Sequence, residues 1–393
     1  MTALADHWGI NEAQFWLRQD LPERKVRYEE STGTWDVFGY PEIQQAITDP
    51  KAFSSDTRRL SPVADQTSTE GMLTQLDPPE HQKLRKLVSH AFTPKVVADL
   101  EPRISELTTE LLDGMSGRAE LVDELAYPLP VIVIAELLGV PAGDRDLFKQ
   151  WVDSMFTTNN RFSLTETSPE QEEYLAKAMA EVGKLTDYLH QHVRERREHP
   201  REDLLSKLVL AEVDGQRLSD AEVANFGLVL LVAGHITTTM LLGNTLLCLD
   251  AHPEQFARVR ADRSLVPRAI EESLRFLSPF AATARATTRE VELGGETIGA
   301  DQLVLLWVAA ANRDPRQFDR PEVFDVTRDP NPHLAFGRGI HFCVGAPLAR
   351  LEGRIALNLI MDRFPELRTD PDSPPEFMPN PSMTGVRRLP LLL

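Results

Sequence analysis

Two hydrophobic periods run through this chain, and the helical one dominates. Trp35 to Tyr40 (W-D-V-F-G-Y) alternates as a short strand, and Pro41 to Thr48 follows as a short helix. Phe53 to Met72 is polar and turn-rich with no period, a long loop of the kind that often carries function. Leu76 to Phe92 reads as a helix that starts at Pro78-Pro79, with Glu80 in its first turn. Pro102 to Met115 and Leu121 to Leu138 read as helices. The second holds the run V-I-V-I-A-E-L-L and stops at Gly139-Val140-Pro141. Helical patterns also span Leu147 to Phe156 and Gln171 to Arg197, with a polar loop, Thr157 to Pro169, between them. The cluster Arg194, Arg196 and Arg197 reads as a solvated helix end.

The longest helical pattern begins at Leu218-Ser219-Asp220, with Ser219 as N-cap. From Phe226 to Leu249 no residue is formally charged, and the length suffices to cross a bilayer. Its middle, A-G-H-I-T-T-T (Ala233 to Thr239), is small and polar, and neither flank is basic, which argues against a span. A helix apolar all round is otherwise a core helix. Ala233 and Gly234 remove side-chain bulk, so a flat group could lie against the backbone there. Thr237 presents a hydroxyl one turn on; alternatively that hydroxyl is satisfied by the carbonyl four residues back.

Val266 to Phe276 is a further helix with Glu272 and Arg275 on one face, a pair that also decorates many exposed helices. Beyond the break at Ser278-Pro279, β signals appear at Ala284 to Thr287, Val291 to Gly299 and Leu303 to Val308, with Gly294-Gly295 as a hairpin turn. Asn312 to Arg328 is irregular by composition. The pattern predicts a mainly α protein with small β-sheets.

Composition narrows the function. The chain has 393 residues and a net charge of −18, which argues against nucleic-acid binding. Its two cysteines, Cys248 and Cys343, exclude a disulfide framework and fit a reducing compartment. The start, M-T-A-L-A-D-H-W-G-I, has neither a basic nor an apolar signal region, so a cytoplasmic protein without a membrane anchor is expected.

The stretch most informative about chemistry is Phe336 to Gly345, F-G-R-G-I-H-F-C-V-G, with A-P-L-A-R-L-E opening a helix directly after it. Cys343 then lies at a helix N-terminus, where the dipole and free amides favour a thiolate. Gly337, Gly339 and Gly345 let the backbone fold around the sulfur. A lone thiolate so held suits an axial ligand of haem iron. The alternatives are a buried free cysteine and, less well supported by the spacing, zinc. Upstream, His81 and Arg85 share a helix face, either as part of a solvated basic face or as a grip on carboxylates.

The ten-residue stretch resembles the haem-binding signature of the cytochrome P-450 family. Three further motifs resemble the family's in order: A-G-x-x-T in the long helix, E-x-x-R at Glu272 and Arg275, and the irregular segment before the cysteine loop. The similarity runs from about Trp35 to the C-terminus. It implies a single domain, 1–393, mostly α, with small β-sheets and a buried haem b ligated by Cys343. It implies that His81, Arg85, Arg285 and His341 hold the haem propionates, that Phe336 packs on the cysteine side, and that Arg328 completes a buried ion-pair group with Glu272 and Arg275. Read from its own surroundings, Arg285 is equally an exposed strand residue.

The implied activity is monooxygenation: one oxygen atom of dioxygen enters an organic substrate, with electrons from a ferredoxin and its reductase and ultimately from NAD(P)H. The family carries an acid before the threonine of the long helix. Here that position is Ile236, so Thr237, water and a substrate hydroxyl are expected to relay protons. Peroxide-driven oxygenation, or a non-catalytic gas-binding haem protein, are the alternatives. Ile236, Phe280, Thr283 and Met383 are the expected substrate lining, facing an apolar secondary metabolite of the polyketide, macrolide or terpenoid kind. A monomer is expected. A docking face for an acidic partner is expected from Lys83, Lys86, Arg338, Arg350 and Arg354.

Overall fold

The computed structural model describes residues 2–18, 21–60, 70–144, 147, 151 and 169–393. The expected helix Leu147–Phe156 and the loop to Pro169 fall almost wholly outside these residues, as does the middle of the loop Phe53–Met72. The principal helices are α1 (Tyr40–Thr48), α2 (Glu80–Ala91), α3 (Glu101–Asp113), α4 (Pro128–Leu138), α5 (Pro169–Glu198), α6 (Leu204–Leu210), α7 (Asp220–Asp250), α8 (Val266–Phe276) and α9 (Ala346–Arg363).

Everything is arranged about α7. Its start is fixed by a reciprocal cap: Ser219 Oγ accepts from the Glu222 amide (3.0 Å), and the Glu222 carboxylate accepts from the Ser219 amide (2.8 Å). With no polar stripe along its length, it must bury most of its surface, and helices α4, α5, α8 and α9 cover it except near its middle.

The sequence pattern from Leu121 to Leu138 reads as one helix, but the structure has two pieces. A wide helical turn, Val122–Ala126, precedes α4, because Pro128 has no amide to continue the ladder through it. A second correction concerns Arg196. It is 0% exposed, not solvated: its guanidinium donates to Asp203 (2.8 Å) and to the Gly139 carbonyl (2.6 Å). Asp203 also caps α6 through the Ser206 amide (2.7 Å), so one buried ion pair ties the end of α5 to the start of α6.

The principal strands are β1 (Val26–Glu29), β2 (Thr34–Val37), β3 (Phe53–Ser54), β4 (Thr283–Thr287), β5 (Val291–Leu293), β6 (Glu296–Ile298) and β7 (Leu303–Leu306); short strands elsewhere among the described residues form three further small sheets. Five of them form a sheet in the order β1-β2-β7-β4-β3, with β2 and β7 parallel and the remaining neighbours antiparallel. Strands β5 and β6 form a hairpin about Gly294-Gly295, both left-handed. Strand β7 stops at Leu306, short of the expected Val308, because Val308 opens a helical turn. Helix α1 packs on this sheet in its own small core, separate from the large helical core.

Candidate active site

The cysteine loop is shaped by two left-handed residues, Gly337 (φ 69°) and Gly339 (φ 70°), where any Cβ would strain the backbone. Gly345 differs from the expectation: it has ordinary right-handed geometry (φ −80°) and caps α9. The loop closes through the Cys343 amide, which donates to the Phe336 carbonyl (2.9 Å). The Cys343 sulfur accepts from the amides of Gly345 and Ala346. Even so, the thiol is not favoured as a thiolate by the protein alone. Burial pushes its pKa up and outweighs the two amides, Arg85 and Arg350, which pull it down. A coordinated metal ion is the agent that would deprotonate it.

Phe336 lies under the Arg350 guanidinium, 4.6 Å from its ring centre. Arg350 in turn makes a two-pronged pair with Glu271 (2.7 Å each), which His333 also reaches (3.1 Å). Burial raises the Glu271 carboxyl, but these bonds outweigh it and hold it at about 2. Sequence reasoning missed this group; the only trace of it is the doubled Glu271-Glu272.

The structure brings His81, Arg85, Arg285 and His341 together. The His81 and His341 rings are 4.2 Å apart, and His341 Nε2 bonds the Ser55 hydroxyl (2.9 Å). Burial depresses His341 to about 3, with Arg285, His81 and Arg85 adding repulsion. Burial likewise lowers Arg285 to about 10, partly offset by Asp77. His81 is lowered by burial and by Arg85, again against Asp77. Among the described residues neither ring nitrogen of the buried His81 has a hydrogen-bond partner, and Arg285 donates to the Ala284 carbonyl (2.7 Å) and the Thr283 hydroxyl (3.4 Å). Asp77 itself is held by the Ser55 amide (2.9 Å) and the Ser54 hydroxyl. Burying this many basic groups with one carboxylate is unfavourable unless an anion joins them. Two propionates beside a cysteine-ligated haem fit that requirement. Arg85 and Cys343 feel one another electrostatically, so the cluster and the sulfur share one site.

On α7 the buried surface opens at Ala233, Gly234 and Thr237, which are exposed or partly exposed while His235, Ile236, Thr238 and Thr239 are buried. Thr237 Oγ1 donates to the Ala233 carbonyl (2.6 Å). Ile236 packs with Met240, Met383 and Met378. Phe280 is 42% exposed and is bridged, strand to strand, to Met383, with the exposed Thr283 three residues on. Met240 and Met378 were not legible in the sequence as members of this apolar group.

Glu272, Arg275 and Arg328 form one buried group. Arg275 meets both carboxylate oxygens (2.8 and 2.9 Å) and Arg328 Nε lies 3.1 Å from one of them. Asn331 and the Asp325 amide complete the carboxylate (3.1 and 3.0 Å). The five cations expected as a docking face are mostly neutralised. Lys83, Lys86, Arg350 and Arg354 pair with Glu222, Asp214, Glu271 and Glu101, and Arg338 reaches the Tyr40 hydroxyl (3.3 Å).

The family model for cytochrome P-450 matches residues 28–393. An erythromycin C-12 hydroxylase of Saccharopolyspora erythraea is 43% identical, covering 100% of this chain and 94% of its own. A cyclomarin C epoxidase of Salinispora arenicola is 44% identical over 95% of this chain and 94% of its own. The crystal structure of HmtT, involved in himastatin biosynthesis, superposes with a TM-score of 0.90 at 58% identity, covering 99% of each chain.

Proposed function

The chain belongs to the cytochrome P-450 family and is a haem-thiolate monooxygenase; from that premise we propose that Cys343 is the ligand of its haem b, and that His81, Arg85, Arg285 and His341 bind the two propionates. The observation that carries this is the buried basic cluster, short of carboxylates, beside a sulfur capped by two amides. Ala233, Gly234 and Thr237 of α7 would pack against the haem, as would Phe336 from the cysteine loop. Residues 1–393 act as one unit, a cytoplasmic monomer.

When bound, the haem supplies the redox chemistry that activates dioxygen. The residues supply position and protons. The Gly345 and Ala346 amides aim at the Cys343 sulfur and moderate its donation. The Thr237 hydroxyl donates its hydrogen bond to the Ala233 carbonyl, so the lone pairs of Oγ1 remain free to accept another. It can hold a water or a substrate hydroxyl there, and that group, not an acid at Ile236, delivers the proton. Thr237→Ala is expected to lower product formed per NAD(P)H consumed about tenfold; unchanged coupling would remove Thr237 from the relay.

The relatives' names point to secondary metabolites. With the apolar group of Ile236, Met240 and Met383 beside Phe280, they support a large apolar metabolite of the polyketide, macrolide or terpenoid kind as substrate. Enzymes of this family take electrons from a redox partner and use dioxygen. A ferredoxin with its reductase is the partner proposed here, docking near Arg338, Arg350 and Arg354.

A second reading, peroxide-driven turnover of the same site, is favoured by the apolar surroundings of Ile236. The test is turnover of one apolar metabolite under two regimes, ferredoxin system with dioxygen or peroxide alone. Oxygenated product that requires dioxygen and reductant supports the first reading. Equal rates with peroxide alone support the second. No bound haem in protein folded with haem available would overturn both.

A further inference from the structure

The N-terminal segment buries one polar side chain that the chemistry does not use. Gln14 is 1% exposed. Its Nε2 donates to the carbonyls of Met383 (2.8 Å) and Pro381 (3.3 Å), and its Oε1 accepts from the Thr384 hydroxyl (3.1 Å). Those partners form the turn that carries Met383, at the far end of the chain. Buried bonds of this kind are costly to leave unmade.

The same turn is gripped by α7 as well. Asn244 Nδ2 donates to the Thr384 carbonyl (2.8 Å), and its Oδ1 accepts from the Val386 amide (3.3 Å). Asn244 lies two helical turns beyond Thr237, on the same face. Between these amides the contact is close. A Cβ on Gly385 would fall 2.2 Å from Met240 Cγ, and one on Gly243 would fall 2.3 Å from Val386 Cγ2. The turn also carries its neighbour: the Ala281 amide donates to the Ser382 carbonyl (2.8 Å) and the Thr384 amide to the Pro279 carbonyl (2.9 Å). Phe280 and Met383 are therefore tied to one another, and Asn244 and Gln14 both hold the turn that joins them.

We propose that Gln14 is a positioning residue for substrate selection: through the turn at Met383 it sets how close the Phe280–Met383 lining stands to the open face of α7. The proposal rests on the reading of that lining as the substrate pocket. It locates a determinant of specificity in the N-terminal segment, outside the pocket itself.

The test uses the haem-loaded full chain and two haem-binding probes that differ in size, imidazole and 4-phenylimidazole, titrated by the shift of the Soret band. Imidazole does not need the lining, whereas the phenyl ring of the larger probe must pack against it. Gln14→Met keeps the volume and removes all three bonds. Its Kd for 4-phenylimidazole is expected to rise about fivefold, the loss of roughly one net hydrogen bond, while that for imidazole stays within about twofold. Hydrogen exchange at the Met383 and Thr384 amides is expected to quicken. Thr384→Val removes a single bond and is expected to act in the same direction more weakly; it decides the question if Gln14→Met does not fold. An unchanged ratio of the two affinities, or equal weakening of both, would overturn the proposal. The exchange measurement does not depend on haem. A wild-type protein without a thiolate-type spectrum would defeat the haem reading, while slow exchange unaltered in the variant would defeat the role of Gln14.

Discussion

Two of the buried charge groups in this molecule are completed in different ways. Glu272 is enclosed by Arg275, Arg328, Asn331 and a backbone amide, and the remaining Arg275 donors go to the carbonyls of Asn312, Pro321 and Val323. Each charge there has its partner within the chain. His81, Arg85, Arg285 and His341 are also buried or half-buried, yet the carboxylate that offsets His81 and Arg285 is Asp77, and among the described residues the His81 ring nitrogens have no hydrogen-bond partner. Burial depresses every one of these four bases. A closed group of charges fixes architecture; a group short of one sign is built around a ligand of the other sign.

The closed group is most sensitive at Glu272. Glu272→Gln leaves Arg275 and Arg328 buried without their anion and is expected to cost about 4 kcal/mol, with or without haem, in urea unfolding. A loss seen only in the haem-loaded protein would mean that the group is not complete in itself.

Glu352 sharpens the contrast from a third position. This carboxyl is buried, its Oε2 has no hydrogen-bond partner among the described residues, and burial raises its pKa from 4.5 to about 8. An acid raised on folding is neutral inside, so the unfolded chain releases its proton first. The contribution of this group is therefore full below pH 4.5 and falls, by up to roughly 5 kcal/mol, as pH rises toward 8. Glu352→Gln is expected to remove that slope from unfolding curves measured between those pH values; an unaltered slope would mean that the carboxyl finds a partner.

The smallest effect belongs to the surface. Because Lys83, Lys86, Arg350 and Arg354 already face carboxylates, the field that steers a partner is weak. Arg338→Glu is expected to slow electron transfer from a ferredoxin two- to fivefold at low salt, and not at high salt. An effect that persists at high salt would point to a direct contact rather than to steering.

Much of this was readable from the sequence where spacing alone carries the information. The span of α8, the Ser219 cap, the hairpin at Gly294-Gly295 and the position of the cysteine loop before α9 all follow from local pattern. What stayed hidden depends on contacts distant in sequence. Arg196 looks like any arginine at a helix end until Asp203 and the Gly139 carbonyl close over it. The helix N-terminus at Cys343 argued for a thiolate, but only the fold reveals that burial outweighs it. Gln14 gave no sign of its partners at the other end of the chain.

The central claim, that the basic cluster is unfavourable alone and favourable with haem, is tested most directly at Arg285. Urea unfolding of the haem-free protein and the rate of haem transfer to apomyoglobin are measured for wild type and Arg285→Met. The expected result is a haem-free variant at least as stable as wild type, by up to about 1 kcal/mol, that loses haem roughly tenfold faster. A haem-free variant clearly less stable than wild type, with haem retained as firmly as before, would contradict the account: Arg285 would then belong with the closed group, as architecture.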